Sequence, residues 1–126
     1  MKHEELTRQI IGCAYKVFNT PGFGFLESVY KKAMVIELDK INLKAEPEKS
    51  LKVYYDNQVL GDFYVDLLAE DEIVIELKSV EHLTKAHEVQ LVNYLNGLQN
   101  EIDLLINFGP IGVEVKRKYR NPAKQD

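Results

Sequence analysis

The 126-residue chain is 45% hydrophobic and 29% charged, a globular composition that excludes a disordered, collagen-like or disulfide-scaffold protein. Its formal charge of −4 is unevenly spread: residues 116–126 carry Lys116, Arg117, Lys118, Arg120 and Lys124 against Asp126, a net +4 that leaves −8 on residues 1–115. Nonspecific nucleic-acid affinity comes from cations that release phosphate counterions, so an acidic body argues against tight nonspecific DNA binding and leaves the basic tail as a phosphate contact or a solvated terminus.

From Glu4 to Phe18 the apolar residues Leu6, Ile10, Ala14, Val17 and Phe18 recur at three and four, the spacing of one helical face. Thr20, Pro21, Gly22 and Gly24 end that helix, because proline disfavours helix in its predecessor and glycine supplies a tight connection. A second helix is expected from near Phe25, with Leu26, Val29, Tyr30, Ala33, Met34 and Leu38 on its buried side and Asn42 and Pro47 beyond its end. The period then changes to alternation. Leu51, Val53 and Tyr55 mark a strand that runs into the turn formers Asp56 and Asn57, and a return strand follows over about 59–68. Glu70, Asp71 and Glu72 make a second polar turn into a strand over 73–79, which completes an antiparallel meander. Leu83, Ala86, Leu91, Leu95 and Leu98 predict a third helix, and residues 102–108 a buried strand ending before Gly109 and Pro110. Ile111, Val113 and Val115 mark a last, edge strand.

The order ααβββαββ contains no repeat and no linker, so residues 1–126 are expected to form one α/β domain, a mixed sheet flanked by helices, with a basic tail at 116–126. A chain of this size buries roughly two-thirds of its unfolded surface without metal or disulfide staples, so a bound metal would serve chemistry rather than folding. Cys13 is the single cysteine; no internal disulfide and no thiolate zinc cluster can form, and a reducing, cytoplasmic setting is expected. No apolar run approaches the roughly 20 residues that span a bilayer, and no partnership with a membrane is expected.

Residues two apart on a strand share a face, so Glu76 and Lys78 project together while Ile73, Ile75 and Leu77 project to the other side. Asp66 lies on the preceding strand. A three-residue turn at Glu70–Glu72, with Ala69 opposite Ile73, puts Asp66 directly opposite Glu76; a two-residue turn puts it opposite Ile75 and on the other face. Facing carboxylates about 5 Å apart at Cβ repel and call for a compensating positive charge. Lys78 is one source and a divalent cation another, since Mg²⁺ takes one or two carboxylates, keeps several waters and shares them with substrate phosphate. Alternation of apolar and charged residues is also what a wetted sheet face alone produces.

Gly24-Phe25-Leu26-Glu27-Ser28-Val29-Tyr30 resembles the signature of the GxxExxY protein family, and Asp66, followed after nine intervening residues by Glu76-Leu77-Lys78, resembles the D…ExK core of the PD-(D/E)XK nuclease-like superfamily to which that family is assigned. Gln90-Leu91-Val92-Asn93-Tyr94-Leu95 and Leu105-Ile106-Asn107-Phe108 extend the similarity, so that it runs from about Leu6 to Phe108; Val65 stands where the superfamily usually has proline. The resemblance implies a restriction-endonuclease-like core in which Asp66 and Glu76 hold Mg²⁺, or Mn²⁺ in its place, and Lys78 positions or activates the attacking water in phosphodiester hydrolysis. By the same resemblance Glu27 is the helix glutamate that completes the metal site. Its alternative role is a first-turn carboxylate favoured by the helix dipole.

Tyr30 lies one turn from Glu27, and Gln90 and Tyr94 share a face of the third helix; these three are the expected cleft-lining or substrate-binding residues. His87 has no acidic or histidine partner at ligand spacing, and His82 and His3 carry less information still. Cys13 reads as a small core residue, and the glycines at 22 and 24 lack the Lys-Ser or Lys-Thr of a phosphate loop. Two functions follow as expectations. One is an Mg²⁺-dependent nuclease or phosphodiesterase acting on DNA or RNA. The other is a catalytically silent nuclease-fold module that binds partners or self-assembles into a homo-oligomer through the 111–115 edge.

Overall fold

The computed structural model describes residues 2–87 and 102–119. Two helices, α1 (Lys2–Asn19) and α2 (Glu27–Lys40), precede β1 (Ala45–Tyr55), β2 (Gln58–Ala69), β3 (Ile73–Lys78), β4 (Ile102–Phe108) and β5 (Val113–Tyr119). The strands form one mixed sheet in the order β1-β2-β3-β4-β5, antiparallel except for the parallel β3–β4 pair. This is the α/β architecture the pattern predicts, consistent with a restriction-endonuclease-like fold. The expected third helix is described only at residues 85–87, and Gln90 and Tyr94 lie outside the described residues.

Both helices cover one face of the sheet. Leu6, Ile10, Ala14 and Val17 of α1 and Tyr30, Met34 and Leu38 of α2 pack on Leu67, Ile73, Ile75, Leu77, Leu104 and Ile106. Cys13 belongs to the same core, and burial pushes its thiol pKa up, so it packs as a small hydrophobe. The buried stripe of α2 is narrower than expected: residues 30, 34 and 38 follow the four-residue step, whereas Leu26 and Val29 sit at the exposed start of the helix, Leu26 at 76% exposure. Among the described residues no helix is long and apolar enough to cross a membrane.

Two strand boundaries differ from expectation. β1 begins at Ala45 rather than near Leu51, because it is an edge strand whose free side tolerates Pro47, and its charged first half hides the alternation. β5 runs over Val113–Tyr119 rather than 111–115: Pro110 and Ile111 belong to the turn closed by the Gly109 N–H on the Gly112 carbonyl (2.9 Å), and Ile111 is 93% exposed. Lys116, Arg117 and Lys118, expected in a basic tail from 116, are therefore strand residues, and residues 120–126 lie outside the described residues.

The turns set the register. Asp56 and Asn57 both adopt positive φ (51° and 62°) between paired Tyr55 and Gln58, the two-residue hairpin that a right-twisted ribbon favours. The β2–β3 connection has three residues, Glu70–Glu72, with Ala69 opposite Ile73, Leu68 opposite Val74 and Leu67 opposite Ile75. Of the two turn lengths open to the sequence, the longer one is present; the ladder is paired as far as Leu67 and Ile75, and Asp66 follows immediately beyond it.

Candidate active site

Asp66, Glu76 and Lys78 stand half-buried on and beside the central strand, on the face opposite the helices. The Leu77 N–H donates to Asp66 Oδ2 at 2.7 Å, so the backbone of β3 itself fixes the aspartate beside the glutamate. Burial pushes the Glu76 carboxyl up to about 8; the adjacent Asp66 carboxylate adds to the shift and the Lys78 ammonium opposes it. Glu76 Oε1 is buried with no hydrogen-bond partner among the described residues.

A third carboxyl joins them. Asp103 is fully buried in β4, paired in register with Val74 and so on the same face as Glu76 and Lys78. Its pKa is pushed up to about 9, by burial first and then by Glu76 and Asp66, against a small opposing effect of the Leu104 N–H. Neither of its carboxylate oxygens has a hydrogen-bond partner of normal geometry among the described residues. The sequence reading passed over Asp103. Its signal was a lone acid inside the otherwise apolar run Ile102–Ile106, and only the parallel pairing of β3 with β4 turns that anomaly into a neighbour of Glu76.

Adjacent carboxylates, one buried and carrying an unpartnered oxygen, fit a hard oxygen-loving cation that takes one or two protein carboxylates and keeps water for the rest of its shell. They do not form a closed protein cage: the described residues gather no group of three or more His, Cys, Asp or Glu side chains that could hold a metal ion. Asp103 lies beside the pair. Glu27 is exposed in the first turn of α2, the position the helix dipole favours for a carboxylate.

Tyr30, expected on the buried side of α2 and also in the cleft, is a core residue. Its place in the 30–34–38 stripe turns it inward, where it is fully buried and stacks on Phe108 with ring centroids 4.2 Å apart and planes 3° apart. Its hydroxyl donates to the Gly22 carbonyl and accepts from the Phe25 N–H (3.4 Å), which closes the glycine-containing loop ahead of α2. The Tyr of the GxxExxY-like segment thus has a structural use in this chain. His87 Nδ1 accepts from the Thr84 N–H at 3.0 Å and the Thr84 hydroxyl lies against it, a local helix-start contact rather than a metal ligand.

The far side of the site face carries cations. In the β4–β5 register Lys118 is opposite Asp103, Lys116 opposite Leu105 and Glu114 opposite Asn107, so these β5 side chains share the face of Glu76 and Lys78.

Comparison with known proteins gives a family. The model of the PD-(D/E)XK nuclease superfamily matches residues 4–118. A solved structure, the crystal structure of SSO0001, is similar over 98% of this chain at 17% identity and a TM-score of 0.48; this chain spans 63% of that one. No curated protein matches.

Proposed function

We propose that this chain, which belongs to the PD-(D/E)XK nuclease superfamily, is a divalent-metal-dependent nuclease that hydrolyses phosphodiester bonds in DNA or RNA, with Asp66 and Glu76 as metal ligands and Lys78 as the catalytic lysine. The observation that carries the reading is the juxtaposition of Asp66 and Glu76 through the Leu77 N–H, with Lys78 on the same strand face. A strand that needs only to be wet has no reason to bury a glutamate against an aspartate, because desolvation and like charge both oppose it.

Mg²⁺ or Mn²⁺ bound by these carboxylates would supply charge neutralisation at the transferring phosphoryl group and a lowered pKa for its bound water. The chain's own residues do the rest. Asp66 is held by a backbone donor beside Glu76. Glu76, facing the Asp66 carboxylate, would hold the cation as a carboxylate once its proton is released to solvent. The Lys78 ammonium, two residues on, donates hydrogen bonds to the attacking water and to a non-bridging phosphate oxygen. Attack of the water oxygen on phosphorus, with one water proton lost to solvent, breaks the bond to the leaving sugar oxygen, which takes up a proton from solvent as the phosphomonoester forms. Lys116 and Lys118, on the same face, supply phosphate contacts that the acidic remainder of the chain lacks.

The silent-module reading would use the β5 edge, but Lys116, Arg117 and Lys118 on that strand are charges of the kind that discourage edge pairing. The deciding experiment is calorimetric titration of Mn²⁺ and Mg²⁺ into the parent, Asp66→Asn and Glu76→Gln, followed by cleavage assays on DNA and RNA with Lys78→Ala. Binding in the parent that both carboxylate variants abolish, with cleavage lost in a folded K78A, is the expected result. Absence of metal binding at millimolar concentration together with absence of cleavage overturns it.

A further inference from the structure

We propose that Asn107 is a positioning residue that fixes the end of β3 beyond Lys78; its catalytic consequence rests on the nuclease reading above. Asn107 is fully buried and stands opposite Lys78 in the parallel β3–β4 ladder. Strand β3 ends at Lys78, yet the backbone beyond it is not left loose. Asn107 Oδ1 accepts from the Val80 N–H at 2.9 Å and Asn107 Nδ2 donates to the Val80 carbonyl at 2.9 Å. The side-chain amide thereby presents one acceptor and one donor to a single residue, as a paired strand would, and extends the ladder by one step past Lys78.

The second amide hydrogen is also used. Asn107 Nδ2 donates to Glu114 Oε1 at 2.8 Å, and that same oxygen accepts from the Leu83 N–H at 3.3 Å. Glu114 is the β5 partner of Asn107, so the connection leaving β3 is anchored across both β4 and β5. Ser79, between Lys78 and Val80, ties it a third time by donating from Oγ to the Phe25 carbonyl at 2.9 Å. Gly109 leaves the room: a Cβ there would meet Asn107 Nδ2 and the Gly112 carbonyl oxygen, each at 3.3 Å. Every donor and acceptor in the clamp matches an amide. An aspartate at 107 would face the Val80 carbonyl and the Glu114 carboxylate with repulsion, and an alanine would leave the Val80 N–H and carbonyl unpartnered.

The hydrogen bonds of Asn107 go to Val80 and Glu114, whereas Asp66 is held by the Leu77 N–H. Loss of Asn107 should therefore move the lysine and spare the metal site. In Asn107→Ala, amide hydrogen exchange at Val80 and Leu83 is expected to speed up while Leu77 stays protected, with Mn²⁺ affinity by calorimetry unchanged. Single-turnover cleavage should fall about 10- to 100-fold with substrate affinity preserved, and the same change made in Lys78→Ala should cost nothing further. An equal extra loss in the K78A background, or Val80 exchange that does not change, overturns the proposal. Should N107A fail to fold, Gly109→Ala crowds the same amide without deleting a buried group, and the same readouts apply. A parent that cleaves no nucleic acid removes the nuclease reading alone; the exchange data at Val80 then decide whether Asn107 holds the strand end.

Discussion

At the scale of single residues, the site is defined by carboxyls that ionise reluctantly. Glu76 and Asp103 have folded-state pKa values raised to about 8 and about 9, against ordinary values of 4.5 and 3.8. A raised carboxyl stabilises the fold below its unfolded pKa, where both states are protonated, and that advantage is lost as pH rises through the folded value. In chelator, the melting temperature should thus fall between about pH 5 and pH 9. Glu76→Gln should flatten that fall and leave the metal-free protein at pH 8 as stable as the parent or more so, because it removes a buried charge facing Asp66. A large loss of stability at every pH would instead mark Glu76 as a structural ion-pair member. Cation binding must strip the proton from Glu76, so Mg²⁺ affinity should rise with pH up to about 8. Calorimetry in buffers of different ionisation enthalpy reads the proton release directly.

At the scale of elements, the loop ahead of α2 and the sheet beneath it meet at Tyr30. The ring stacks on Phe108 of β4 while the hydroxyl holds Gly22 and Phe25. Tyr30→Phe keeps the stack and loses the hydroxyl, at an expected cost of about 1 kcal/mol. Tyr30→Ala also opens a cavity in the core, and costs about 3–5 kcal/mol. Urea denaturation of the two variants separates the contributions, and a Tyr30→Phe variant that stays folded should keep its metal affinity, since Tyr30 lies on the helix side of the sheet. The same separation explains why Glu27 and Tyr30, neighbours in one sequence segment, have different surroundings: the first is in an exposed helix turn and the second in the core.

At the scale of the whole molecule, the charge pattern and the proposed metal site combine. The two helices cover one face of the sheet; the other carries Asp66, Glu76, Lys78 and Asp103 at its centre and Lys116 and Lys118 on β5. Under the nuclease reading, a bound cation adds a phosphate contact to those of Lys78, Lys116 and Lys118, so nucleic-acid affinity should depend on divalent metal and fall with salt. Lys116→Ala should weaken binding across sequences and lower the salt slope by about 1, as measured by fluorescence anisotropy. Saturating Mg²⁺ at about 100 times its dissociation constant should stabilise the parent by about 2.7 kcal/mol and leave Asp66→Asn unmoved.

Much of this architecture was legible in the residues. Period alone located both helices and β2, β3 and β4 but less than half of β1 and β5, and the resemblance to a D…ExK core singled out Asp66, Glu76 and Lys78, because local periodicity and a short motif are properties of neighbours along the chain. Whether Asp66 meets Glu76 was not. It depends on one residue of turn length, which the polar run Glu70–Glu72 leaves open and the three-residue loop decides. Asp103 and Asn107 were less visible still, each a single polar residue in a buried strand whose meaning comes from the strands packed on either side. Tyr30 carried two signals in the sequence, the buried spacing of its helix and the motif, and the packing of α2 on the sheet realises the first. Composition, elements and the motif were determined by the sequence itself. Register, the clamp beyond Lys78 and the third carboxyl were decided by tertiary structure, because each rests on distances between segments that the order of residues does not contain.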